Sequence, residues 1–203
     1  MRRVKFMMVL PIVTLLALVA PAAAAQATTG TTTTSAQTDI TFTCYPNTPA
    51  AFTVSNSTVS SNQVTTDIPN GTPIPGGFVA HSDPPNYLAN QTVGSDVASF
   101  TNNTTGFTIL HHEGGSLWFT YDPTPKIPGA LATGTFVSTG VTSELFGPES
   151  EAALAAAGTP EPAVVFVSGL LVMHFAVNSS GPYVTSFSLR GTQVNACALL
   201  AGK

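Results

Sequence analysis

The stretch Ala163–Leu200, AVVFVSGLLVMHFAVNSSGPYVTSFSLRGTQVNACALL, decides the fold. A loop at Asn178–Pro182 sets Val177 opposite Tyr183, Phe175 opposite Thr185, Met173 opposite Phe187 and Leu171 opposite Leu189. The reverse face then pairs Ala176 with Val184, His174 with Ser186 and Val172 with Ser188. Alternate residues of a strand point to opposite faces. One face of this predicted hairpin is therefore oily and the other mixed, as a half-buried antiparallel pair requires.

Working outward, Cys197 ends the stretch and Cys44 is the other cysteine of the chain. Cys44 sits in Asp39–Tyr45 (DITFTCY), where Ile40, Phe42 and Cys44 alternate onto one face of a predicted first strand. In an exported chain the two cysteines are expected to form one disulfide. It would tie the first strand to the last, and joining those strands favours a closed or nearly closed barrel.

Export is the expectation from the N-terminus. Arg2, Arg3 and Lys5 precede the apolar run Phe6–Val19 and the small residues Pro21–Ala25, the pattern of a secretory signal peptide over 1–25. The apolar run is short for a membrane span, so no stable membrane insertion is expected after cleavage. Residues 26–38 are Thr-rich and lack apolar periodicity, and they read as a disordered linker. Residues 39–203 remain as one β domain, secreted or extracellular.

Outside residues 1–25 the basic residues are Lys126, Arg190 and Lys203, against ten acidic ones. Three cations cannot track a phosphate backbone, so nucleic acid is excluded as a partner. Ser, Thr and Asn supply most of the polarity, which suits a neutral, hydroxyl-bearing surface.

A second hairpin is predicted over Gly106–Tyr121, GFTILHH–EGG–SLWFTY, turning at Glu113–Gly115. Pro69–Asn86, with five prolines and three glycines, reads as a surface excursion. Pro148–Gly158 (PESEAALAAAG) has an early proline, acids in the first turn, an Ala-rich body and a terminal glycine, the order of signals of a helix. The predicted fold is all-β, a single antiparallel β-barrel or β-sandwich with one short helix near 148–158.

Chemistry is sparse. Six Asn-x-Ser/Thr sequons occur, at Asn56, Asn70, Asn90, Asn102, Asn103 and Asn178. Asn56, Asn90, Asn103 and Asn178 are the candidate glycan acceptors; Pro73 weakens Asn70, and Asn102 competes with Asn103. His111 and His112 adjoin on a strand and so point to opposite faces. A metal site would have to gather His81, His111 and His174 from separate elements. His174 opposite Ser186 lacks an orienting acid, and no nucleophile motif is present, so no catalytic residue is assigned. Asp67, Asp83 and Asp96 read as turn residues. Trp118, with His111 and His112, is the candidate ligand contact.

These readings predict a non-enzymatic binding or structural module with no cofactor, meeting an extracellular partner. One alternative is a barrel carrier, or a cyclase- or isomerase-like protein, with an apolar interior site for a small apolar ligand. The other is a His-dependent metalloenzyme. The Glu113–Gly115 turn and the Pro69–Asn86 excursion are the places where function is expected.

Overall fold

The computed structural model describes residues 31–33, 40–82 and 87–202. In chain order these form β1 (Thr31–Thr33), β2 (Ile40–Cys44), β3 (Phe52–Asp67), β4 (Pro73–Ile74), β5 (Phe78–Val79), β6 (Asn90–Asn102), β7 (Thr108–Tyr121) and β8 (Ala132–Leu145). Helix α1 (Pro148–Ala156), β9 (Val164–Asn178), β10 (Gly181–Asn195) and helix α2 (Ala196–Leu200) follow. Strands β3, β6, β7, β8, β9 and β10 are neighbours in that order, all antiparallel. β1 and β2 share the far edge of β3. The sheet curls into a half-barrel, and the little β4–β5 ribbon lies apart from it. The predicted all-β antiparallel fold with a short helix near 148–158 is what forms. Among the described residues no ladder joins β10 to β2. Cys44 and Cys197 make that link instead, as a disulfide with Cα atoms 5.6 Å apart closing a separation of 153 residues. The chain-entropy model assigns such a loop about 5 kcal/mol at most.

One row of residues sets the shape. Gly94, Gly115, Gly140, Gly169 and Gly191 stand opposite one another across β6, β7, β8, β9 and β10. The sheet divides here. β7 pairs with β8 from Tyr121 to Gly114 and no further, whereas β8 stays with β9 as far as Leu145. Beyond the row, β2–β3–β6–β7 faces β8–β9 as a second layer. Phe166 of β9 lies flat on His111 of β7, with ring centroids 4.0 Å apart, and meets Phe100 of β6 edge-on at 5.1 Å.

Two cores result. One gathers Phe119, Tyr121, Phe136, Leu171, Met173, Phe175 and Val184, with Leu154 of α1 seated against it. The other lies between the layers and holds Phe42, Val54, Phe100, Val164 and Phe166, together with Cys44, Cys197 and Leu200. α2, whose Asn195 cap accepts from the Ala198 N–H, brings Cys197 and Leu200 to that core. Nothing in the strand-like alternation of this segment announces a helix, and α2 departs from the predicted single helix.

Two other expectations change. The β9–β10 loop is two residues, not five: Asn178 pairs with Gly181 and Tyr183 with Ala176. The Asn178 side chain accepts from the Ser180 and Gly181 N–H groups, which shapes the tight turn. An extra residue, Thr185, then restores the predicted register, so Ser186 meets His174, Phe187 meets Met173 and Leu189 meets Leu171. Val184 therefore takes the buried place that Tyr183 was expected to share. The Gly106–Tyr121 hairpin does not exist. β7 runs straight through Glu113–Gly115, because β6 on one side and β8 on the other both offer ladder partners there. In the tract read as linker, Thr31–Thr33 pairs with Gln63–Thr65, where the open edge of β3 presents free backbone groups. The rest of that tract and the predicted signal peptide lie outside the described residues.

Candidate functional site at the glycine row

Where β7 leaves β8, a cleft of about 30 Å³ opens beside the glycine row, lined by Asp96, Glu113, Gly94, Gly115, Thr142 and neighbours. That is room for roughly two water molecules. A sugar ring does not fit, and a carrier cavity would need roughly several hundred Å³ of apolar lining.

Asp96 and Glu113 pair directly across β6 and β7. Asp96 alternates with Ala98 and Phe100, all buried on one face. Glu113 follows His111 and Ile109 on the matching face of β7. Gln63 of β3 donates to Asp96 Oδ2, while Asp96 Oδ1 is buried without a partner. Ser143 of β8 donates to Glu113 Oε1, bridging the two layers. Glu144, only 1% exposed, has neither carboxyl oxygen in a hydrogen bond.

Burial dominates the electrostatics. It pushes the Glu113 carboxyl up to about 7, against the Ser143 hydroxyl, with Asp96 adding to the rise. Burial likewise raises Asp96, opposed by Ser61 and Gln63. Glu144 stands well above the usual carboxylate range through burial and then through Glu113. His111 is lowered by burial, which outweighs the Thr142 backbone, and its Nε2 has no partner. Burial thus favours the protonated form of all three carboxyls, and it brings the Glu113 titration up to about 7.

The residues singled out from the sequence do not converge. His111 is stacked on Phe166. His112 is exposed on the opposite face. His174 bonds Thr135 Oγ1 through Nδ1 (3.0 Å) and meets Phe78 edge-on. His81 sits over Thr120, whose hydroxyl accepts its N–H. Among the described residues no three His, Cys, Asp or Glu side chains meet in a way that could hold a metal ion. The candidate set His81, His111 and His174 is thus dispersed by the topology. Trp118 is half-buried opposite Gln91 and Val137, two residues from Thr120, which the Val79–His81 segment covers. Of the sequons, Asn56 is half-buried and donates to the Ser99 carbonyl, Asn90 opens β6, Asn103 is exposed and Asn178 shapes a turn. Asn102 is 2% exposed and fully engaged.

Asp96, Glu113 and Glu144 were not singled out as a group. The signal lay in alternation: Asp96 keeps step with Ala98 and Phe100, and Glu144 with Phe146, so each carboxyl shares the inward face.

The outward face of β2, β3, β6 and β7 is a different surface. Thr41, Ser55, Thr101 and Thr108 form one row across four strands, and Thr43–Thr53 and Ser57–Ser99 form parts of the next rows. Thr101 and Thr108 hydroxyls bond each other at 2.9 Å. Ser55 Oγ donates to Asn103 Oδ1, and Asn103 Nδ2 donates to Thr53 Oγ1. The result is an uncharged, internally ordered hydroxyl grid.

Comparison with known proteins gives no match: no family model fits the chain, and no curated protein or solved structure matches it.

Proposed function

We propose that the chain is an exported, non-enzymatic binding module that lays the hydroxyl grid of β2, β3, β6 and β7 on a neutral polysaccharide. The single observation that carries this reading is the row Thr41–Ser55–Thr101–Thr108 across four neighbouring strands, in which the Thr101 and Thr108 hydroxyls bond each other and Ser55 is braced by Asn103. Strands lie about 4.8 Å apart, so such rows offer donors and acceptors at a regular repeat. No charge interrupts them, which matches a neutral hydroxyl-bearing polymer and disfavours an ionic one. The N-terminal basic–apolar–small pattern and the Cys44–Cys197 disulfide support export. Among the described residues no helix is long and apolar enough to cross a membrane. The cleft at the glycine row, about 30 Å³, is far smaller than the roughly several hundred Å³ that a carrier site needs.

Co-sedimentation of the purified chain with insoluble cellulose, chitin and β-glucan, beside anionic polymers, tests the proposal. Retention on at least one neutral polymer is expected. The double variant Ser55→Glu/Thr101→Glu, at positions outside both cores, should weaken it about tenfold. No retention on any neutral polymer, or equal retention of the folded variant, would overturn the reading.

A further inference from the structure

The hydroxyl grid continues along its own strands. β6 and β7 stay paired without a break from the Thr101 and Thr108 pair to the Asn90 and Phe119 pair. Alternate residues of a strand share a face, so Leu110, Ser116 and Trp118 stand on the same side of β7 as Thr108. Ser99, Val93 and Gln91 likewise stand with Thr101 on β6. No acidic residue, lysine or arginine is on this side; Asp96 and Glu113 point to the other. His112 is its one ionisable side chain. Apolar groups punctuate the hydroxyls: Leu110 is 58% exposed and Val93 46%. Trp118 is half-buried and ends the open run, since Thr120, the next outward residue, lies under Val79–His81.

We propose that this side of β6 and β7 binds the interior of a neutral polysaccharide chain lengthwise, with one sugar ring stacked on the Trp118 indole. This placement rests on the proposed polysaccharide role of the grid, and it specifies the ligand's direction, its length and the side chain it stacks on. A pyranose ring carries hydroxyls on its rim and C–H groups on its faces. Thr101, Thr108 and Ser99 match the rim, while Leu110, Val93 and Trp118 match the faces. Thr108 and Trp118 are ten residues apart, which is roughly 30 Å of strand. That is the length of several sugars in line. The surface is an open strand face, and the nearby cleft of about 30 Å³ is too small for a ring. No single contact is deep, so binding strength has to accumulate along the run, as linked weak contacts do. A lone sugar meets only part of it.

Trp118 is the only tryptophan of the chain, so its fluorescence reports this end of the run alone. The full chain is titrated with two-sugar and six-sugar members of the cello-, chito- and laminari-oligosaccharide series. In at least one series the six-sugar member should shift the emission to the blue and bind about tenfold or more tighter than the two-sugar member. Trp118→Ala should weaken retention on the matching insoluble polymer about tenfold, while Trp118→Phe, which keeps a ring, should hold it. Polymer retention by the wild type with an unchanged emission would sink the Trp118 contact and leave the grid standing, whether or not a variant folds. Equal binding of two and six sugars would overturn the lengthwise placement in the same way. Absence of retention on every neutral polymer would remove the grid and this placement together.

Discussion

Gly115 and Gly140 stand opposite each other on β7 and β8 so closely that neither has room for a side chain. A Cβ on Gly115 would lie 1.8 Å from the Thr139 carbonyl oxygen, and one on Gly140 would lie 2.1 Å from that of Gly114. Their φ values of 150° and 112° also fall where L residues are rarely found. Gly140→Ala should therefore cost about 3 kcal/mol or more, from overpacking against backbone plus an unfavourable φ. Thermal unfolding followed by circular dichroism checks it. The control is Gly129→Ala, with a φ of 82° but nothing within 4 Å of its Cβ, which should cost only about 1 kcal/mol. Equal losses at the two positions would refute the role assigned to the close approach.

The same pair shows where the sequence was legible and where it was not. Alternation in Leu171, Met173 and Phe175 identified the inward face of β9, because burial on one side of a strand leaves a period of two. Helix α1 was readable from its proline, acids and glycine. Glu113-Gly114-Gly115 misled because a glycine pair is chemically suited both to a turn and to a close crossing of strands. Only the partners on either side distinguish the two, and these come from Gly94 and Gly140, far apart in sequence. The acid site was hidden for the same reason. Asp96 and Glu113 become neighbours only through the β6–β7 register, so composition could not pair them.

Glu113 should make stability depend on pH. Its folded-state carboxyl is pushed up to about 7 from the ordinary 4.5, chiefly by burial. Between those values the native chain holds a proton that the unfolded chain has lost. Stability is thus fully present below about 4.5 and falls as pH rises toward 7, then levels off. The span corresponds to about 3 kcal/mol. Glu113→Gln should flatten this fall and melt higher than wild type at pH 8. Glu144, raised in the same direction, is expected to leave a residual slope that Glu144→Gln removes. A variant with an unchanged pH profile would contradict the burial argument.

His111 carries the opposite sign. Burial against Phe166 lowers its pKa from 6.5, so the unfolded chain binds a proton that the folded chain resists. The stability associated with His111 is present above about 6.5 and is lost as pH falls toward the folded pKa. Imidazole proton resonances should titrate below the ordinary range in the wild type. They should move back toward it in Phe166→Leu, which removes the stacked ring and loosens the layer contact without emptying it. A His111 that titrates normally in the intact protein would show that the two layers do not exclude water.

Asn102 and Asn103 should behave as opposites although their sequons overlap, Asn102-Asn103-Thr104 and Asn103-Thr104-Thr105. Asn102 Nδ2 donates to the Leu200 carbonyl at 3.0 Å, tying the end of β6 to α2, while its Oδ1 accepts from the Thr104 and Thr105 N–H groups. Truncation leaves a buried carbonyl without its donor and releases the turn, so Asn102→Ala should cost about 2–3 kcal/mol. Asn103 is exposed, and its bonds to Ser55 and Thr53 have water as a ready substitute, so Asn103→Ala should cost less than about 1 kcal/mol. Denaturant titration separates them. In a host that glycosylates secreted chains, peptide mapping of the folded product should find sugar at Asn103 and none at Asn102. A glycan on Asn102 Nδ2 would occupy the bond to Leu200 and pull α2, with Cys197, away from Cys44. Folded, disulfide-closed protein carrying a glycan at Asn102 would therefore contradict the arrangement of β6 and α2.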